Sequence, residues 1–292
     1  MIDIGKIGIW FSHNDMPLND SIHFARKVED GGYGALWIPE ALGREPFVHL
    51  AALAQHTSSL VLATGIANIW ARDTVTISAA QKTLAEISGN RFLLGLGVSH
   101  VPLVEGVRGH EYHKPLTYMR TYLEKMAQAP YQAIDSDEKP PVVLAALRQR
   151  MLGLARDATD GAHLYFVPPA HTRLARGILG PDKLLAPAQA VVFESDPQIA
   201  RAAARQYMRT YIPRLPNYRN NLLELGYTDA DFADGCSDRL VDDIVAWGDV
   251  DTINARIQAH HDAGADHVCI LPLAIEGPLP NLATVEAFAP GS

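Results

Sequence analysis

The chain has 292 residues, 48% of them hydrophobic and 20% charged, a globular composition that excludes a disordered or collagen-like polymer. With 33 acidic against 25 basic residues, a formal charge of −8 and no cluster of Lys and Arg, neither nucleic acid nor an anionic membrane surface is expected as a partner. The N-terminal "MIDIGKIGIWFSHND" lacks the basic region and apolar core of a secretory leader, and no apolar run is long enough to span a bilayer, so a cytoplasmic protein is expected.

Taken in chain order, eight short runs rich in aliphatic and β-branched residues read as strands buried on both faces: 7–11, 35–40, 60–68, 92–99, 141–147, 162–168, 188–194 and 266–273. Between them lie segments with helical spacing. In "LNDSIHFARKVEDGGYG", for example, Leu18, Ile22, Ala25 and Val28 share a face and glycines follow the last turn. Regular alternation predicts parallel strands joined by right-handed crossovers, and eight units close a (β/α)8 TIM barrel. The segment after the seventh strand is too long for one helix. It predicts extra helices between strands 7 and 8, with "SDRLVDDIVAWGD" against the barrel bottom or flank. No linker is visible, so one domain over residues 1–292 is expected. Cys236 and Cys269 read as unpaired thiols.

Catalytic groups of such a barrel come from the C-terminal ends of its strands. Those ends offer Phe11, Ser12 and His13, then Glu40, then Asn68, Trp70 and Arg72, then Ser99 and His100. Phe11, His13 and Trp70 are candidates for a substrate cavity. "GLGVSH" is not a dinucleotide loop, because His100 stands where a third glycine is required and Val101-Pro102 follow. Gly95 and Gly97 therefore have two readings: they let barrel layers pack, or they leave bare backbone for a flat ligand. "GHEYH" has the wrong histidine spacing for a zinc helix, and His260-His261 are adjacent on a helix, so no metal is expected.

"DGGYGALWIPEA", "LATGIANIWARD", "RFLLGLGVSH" and "AALRQRMLGLARDATDG", followed by "LPNYRNNLLELGY", "SDRLVDDIVAWGD" and "HHDAGADHVCILPL", together resemble the bacterial-luciferase-like superfamily. The nearest branch comprises oxidoreductases that use the deazaflavin coenzyme F420. The resemblance spans nearly the whole chain. It implies a barrel carrying F420, or alternatively FMN, at its C-terminal rim, a small-molecule substrate and a homodimer. It matches "TGIAN" to a bulged third strand, often with a cis non-prolyl peptide, which places cofactor contacts at Thr64, Gly65, Ile66 and Asn68. Gly97, Val98 and Ser99 line the same place. It also sets the coenzyme phosphate where the fifth strand enters its helix, at Ala145, Ala146, Leu147, Arg148, Gln149 and Arg150, and free helix N–H groups there suit an anion. Relatives often have Gly-Pro where this chain has Arg148-Gln149. His100 falls where several deazaflavin-dependent relatives carry a catalytic glutamate, and Ala41 falls where many carry a histidine. The implied catalytic pair is His100 as acid/base and Glu40 as its orienting or substrate-binding partner. The reaction expected is hydride transfer between F420 and a small organic substrate. FMN-dependent monooxygenation and cofactor binding without turnover are the alternatives.

Overall fold

The computed structural model describes residues 2–135 and 138–291. Its strands are β1 (Ile7–Trp10), β2 (Ala35–Ile38), β3 (Val61–Thr64), β4 (Ala67–Asn68), β5 (Phe92–Gly97), β6 (Val142–Ala145), β7 (Gly161–Leu164), β8 (Leu184–Val192), β9 (Val245–Trp247) and β10 (Val268–Pro272). Every pairing is parallel, and β10 bonds to both β1 and β8. Counting β3 and β4 as one interrupted strand, β1, β2, β3/β4, β5, β6, β7, β8 and β10 form a closed ring of eight.

The helices are α1 (Leu18–Asp30), α2 (Pro46–Ala54), α3 (Thr74–Ser88), α4 (Pro115–Ala127), α5 (Gln149–Ala158), α6 (Pro169–Leu179), α7 (Pro197–Met208), α8 (Pro216–Glu224), α9 (Asp229–Phe232), α10 (Asp238–Ile244), α11 (Val250–Asp262) and α12 (Leu282–Ala287). A single π-type turn, Pro102–Val107, follows β5. Side-chain caps fix several starts: Asp73 accepts from Val75 and Thr76 N–H ahead of α3, and Asp196 from Gln198 and Ile199 ahead of α7.

Three predicted elements come out differently. The run 60–68 is split by a cis peptide at Gly65-Ile66, so β3 and β4 pair with different stretches of β5. The seventh predicted strand starts four residues earlier, at Leu184. Pro187 obscured this, because a residue without an N–H reads as a strand breaker. It is paired with Leu164, the last residue of β7. The "SDRLVDDIVAWGD" segment is not helical throughout. After α10 it becomes β9, which pairs with Ala190–Val192 of β8, beyond the point where β7 has ended.

The ring is filled by side chains. Trp37 of β2 stacks on His163 of β7 across the interior, centroids 4.6 Å apart and the ring planes nearly parallel. Its indole Nε1 donates to His267 Nε2 at 3.2 Å, while His267 Nδ1 lies 2.9 Å from the Gly5 carbonyl. Gly8 faces the same space because a Cβ there would lie 2.5 Å from His267 Nε2. Burial lowers the pKa of both histidines to about 4, so they are neutral rings at pH 7.

Candidate functional site at the C-terminal rim

The β3–β4 break lies at the C-terminal end of the ring. Ahead of it, Thr64 is fully buried and its hydroxyl both donates to the Gly95 carbonyl and accepts from the Gly95 N–H, each at 2.8 Å. Trp10 Nε1 donates to the Gly65 carbonyl at 3.0 Å, and Gly65 N–H donates to Ile38. A Cβ at Gly95 would overlap the Thr64 carbonyl, and one at Gly97 would lie 2.6 Å from Ile66 Cγ1. The two glycines of "GLG" are therefore covered by the neighbouring chain. Packing is the reading the structure supports, and the Ile66 side chain lies where Gly97 has none. Asn68 is fully buried, accepts from Trp70 N–H through Oδ1, and has no partner for Nδ2 among the described residues.

Glu40 is enclosed. Its Oε2 accepts from Asn68 N–H and from Arg72, both at 2.8 Å, and Oε1 lies 3.3 Å from Arg108. Arg72 also pairs with Glu45 and lies over the Phe47 ring. Glu40 thus clamps the loop after β4, and no hydrogen bond joins it to His100. Trp70 donates from Nε1 to the Val98 carbonyl and stacks flat on Tyr118 of α4, centroids 4.0 Å apart.

Phe11 and His13 face away from the mouth. Both pack against Phe24 of α1, and His13 Nδ1 lies 3.1 Å from His49 Nε2 of α2. Alternation along β1 explains this: Gly8 and Trp10 point into the ring, so Phe11 points out. Trp10, one residue earlier, is the mouth residue and meets Tyr165 at 4.8 Å.

His100 follows β5 directly behind Ser99, whose φ is +55°. Its carbonyl accepts from Leu103 and Val104 N–H and opens the π-type turn. Its half-buried ring makes no hydrogen bond among the described residues and lies 5.3 Å from Tyr218 of α8. Burial lowers its pKa below the ordinary 6.5, which favours the neutral imidazole.

Further round the rim, β6 ends at Ala145, and Ala146 N–H donates to the His163 carbonyl. Arg148 precedes α5 and supplies no side-chain cap. Gln149 and Arg150, in the first turn, are exposed with Arg148. Nearby, His171 Nε2 lies 2.6 Å from the Leu147 carbonyl. Burial lowers the His171 pKa, partly offset by the Leu147 carbonyl and by the Asn221 side chain of α8; His171 Nδ1 and Asn221 Nδ2 are both buried and make no well-formed hydrogen bond among the described residues. Arg148 itself pairs with Glu224, the last residue of α8.

Helix α8 therefore spans the rim: Tyr218 reaches His100 after β5, Asn221 reaches His171 of α6, and Glu224 reaches Arg148 at the start of α5. The sequence predicts extra helices in this stretch but not this role, nor an aromatic cluster of Tyr165, Phe166, Tyr207, Tyr211 and Tyr218. The signal was present, since Tyr207, Tyr211 and Tyr218 recur at intervals of four and seven, one side of a helical path.

Among the described residues no helix is long and apolar enough to cross a membrane, and no group of three or more His, Cys, Asp or Glu residues could hold a metal ion. His260 is tied to Thr172 and Gln189 instead.

A closed parallel barrel with a histidine, arginines and aromatic rings gathered at the C-terminal ends of its strands is an enzyme scaffold of the TIM-barrel class. The chain belongs to the luciferase-like monooxygenase family, whose model matches residues 4–267. A Mycobacterium tuberculosis protein named as a proposed coenzyme F420-dependent oxidoreductase is 24% identical over 89% of this chain and 91% of its own length. Among solved structures, an F420-dependent secondary alcohol dehydrogenase bound to an F420-acetone adduct superposes with a TM-score of 0.78 at 13% identity, covering 98% of both chains. A type II Baeyer–Villiger monooxygenase of Pseudomonas putida in complex with FMN gives 0.73 at 15% identity, over 99% of this chain and 98% of that one. At these identities the structural likenesses establish the fold.

Proposed function

We propose that the chain is an F420-dependent oxidoreductase that transfers hydride between the deazaflavin and a small organic substrate at the C-terminal rim. One observation carries the reading. An uncapped helix N-terminus flanked by Arg148 and Arg150, with the buried His171 beside it, is joined through α8 to an unpartnered His100. The first end suits a phosphate, which free N–H groups and guanidinium charge both favour. The second end suits proton transfer.

The donor set fits a flavin-type molecule. Ala146, Leu147, Arg148, Gln149 and Arg150 would hold its phosphate, and the β3–β4 segment, with the unpartnered Asn68 Nδ2, would support its ring. When bound, the deazaflavin supplies a ring carbon that accepts or donates hydride, whereas FMN would also open oxygen chemistry. The chain's own part is to hold ring and substrate face to face while Trp10 and Tyr165 exclude water below them. His100, neutral at pH 7, takes the proton from a substrate hydroxyl or returns it. Glu40 acts as a positioning residue through Arg72, Arg108 and Asn68. A homodimer in the cytoplasm completes the reading; α2 buries Leu50 and Leu53 and leaves Val48 72% exposed as one candidate contact.

The test is a fluorescence and absorbance titration of the purified chain with F420 and, separately, FMN. Tight binding of F420 and weak binding of FMN is the expected result. Absence of binding by either at millimolar concentration overturns the proposal.

A further inference from the structure

Two polar side chains at the rim have hydrogen-bonding capacity that the protein does not use. Tyr218 is only 8% exposed, and no partner for its hydroxyl exists among the described residues. The neighbouring hydroxyls behave differently, because Tyr165 and Tyr211 bond to each other at 2.8 Å. The ring of His100, 5.3 Å from Tyr218 between centroids, is likewise unbonded. The Tyr218 ring is thus nearly buried while its hydroxyl stays accessible and unbonded, which leaves it free for a ligand.

The surroundings are aromatic. Phe166 lies 5.3 Å from the Tyr218 ring, Tyr211 meets it edge-on at 5.7 Å, and Tyr165 sits 6.2 Å away, itself backed by Trp10. These rings come from four separate segments, after β7, after α7, on α8 and on β1, so they meet only in the folded barrel. Such walls select a flat apolar body. The unspent pair selects an oxygen upon it: the phenol donates, and the neutral imidazole accepts. A substrate hydroxyl, which both accepts and donates, satisfies the two together.

Resting on the oxidoreductase reading, we propose that Tyr218 and His100 jointly hold the oxygen of an aromatic or alicyclic alcohol inside the rim cluster. Tyr218 is then a substrate-contacting residue contributed by the helices between β8 and β9. It donates to the substrate oxygen while His100 takes the hydroxyl proton, and the hydride from the carbinol carbon would go to the deazaflavin of the oxidoreductase reading. Burial raises the Tyr218 pKa far above 10, so it remains a donor throughout the neutral range.

The experiment measures binding of two probes by saturation-transfer NMR: 1-phenylethanol, and ethylbenzene, which has the same body without the oxygen. Tyr218→Phe is expected to weaken 1-phenylethanol about three- to tenfold, the worth of one neutral hydrogen bond, and to leave ethylbenzene unchanged. His100→Phe is expected to produce the same selective loss, which covers the case of a Tyr218 variant that fails to fold. Failure of the parent chain to bind 1-phenylethanol overturns the proposal, as does equal weakening of both probes or of neither. F420 and FMN titrations on the same samples report the redox reading separately. A chain that takes neither cofactor but retains the Tyr218-dependent preference for the alcohol loses that reading and keeps this one.

Discussion

Gly95 and Gly97 behave as neighbours with different consequences. A Cβ at position 95 would meet the Thr64 backbone carbonyl, which has nowhere to go, whereas one at 97 would meet the end of the Ile66 side chain, which can rotate. Gly97→Ala should therefore cost about 1–3 kcal/mol of stability and Gly95→Ala more, with denaturant midpoints giving the order. A reversed order would mean that the β3–β4 segment yields more easily than the Ile66 rotamer. His100 stands on a different footing, since its ring touches no polar partner. His100→Gln should leave the melting temperature within a few degrees and lower turnover on an accepted substrate at least a hundredfold, the usual share of a general acid/base. If His100 is the base, turnover should also fall as the pH drops through its lowered pKa. At this scale the sequence pointed to His100, Asn68 and the bend at Gly65-Ile66. It misassigned Phe11 and His13, because strand parity depends on which face of β1 looks inward, and one residue of slippage exchanges mouth for exterior.

Helix α8 controls both ends of the candidate site, and its C-terminal carboxylate argues for a measurable competition. Glu224 pairs with Arg148 at the start of α5, where a phosphate would compete for the same guanidinium. Glu224→Gln should tighten binding of the phosphate-bearing cofactor severalfold, and Arg148→Ala should weaken it about tenfold. Titration of the two variants against the parent checks both signs. Another element-level joint is Arg176 of α6. It donates to the carbonyls of Gly264, Gly180 and Lys183 and pairs with Asp266, binding α6 to the turns that launch β8 and β10. Arg176→Met keeps the stem and strands those carbonyls, so a loss of about 2–4 kcal/mol in chemical denaturation is expected. Strands were more legible than helices with unusual jobs: β1, β2, β5, β6 and β10 fall within their predicted runs. The role of α8 was hidden because its tyrosine, asparagine and glutamate gain meaning only from what β5, β6 and α6 bring beneath them.

Six of the twelve histidines are buried in the folded molecule. Burial lowers the pKa of His13 and His260 to about 3 and of His49, His163 and His267 to about 4. Unfolding returns each to about 6.5, so below that value the unfolded chain binds more protons than the folded one. The stabilisation is complete above about pH 6.5 and is lost progressively as the pH falls through 4 to 3. Calorimetry between pH 7 and 4 should show a steadily falling melting temperature, with uptake on unfolding near pH 5 of roughly one proton per buried ring. A flat profile would contradict the buried neutral rings. Closure of the ring was legible because eight strand-like runs alternate with helical ones, whereas β9 was not, since three residues directly after a helix carry no period.

That short strand has a consequence for how the molecule can change. Because β8 outruns β7 and hands its spare edge to β9, everything from residue 193 to 244 leaves and re-enters the sheet through fixed main-chain anchors. The intervening stretch behaves as a replaceable cassette: its length and aromatic content can vary between descendants of such a barrel while the register of the eight staves stays put.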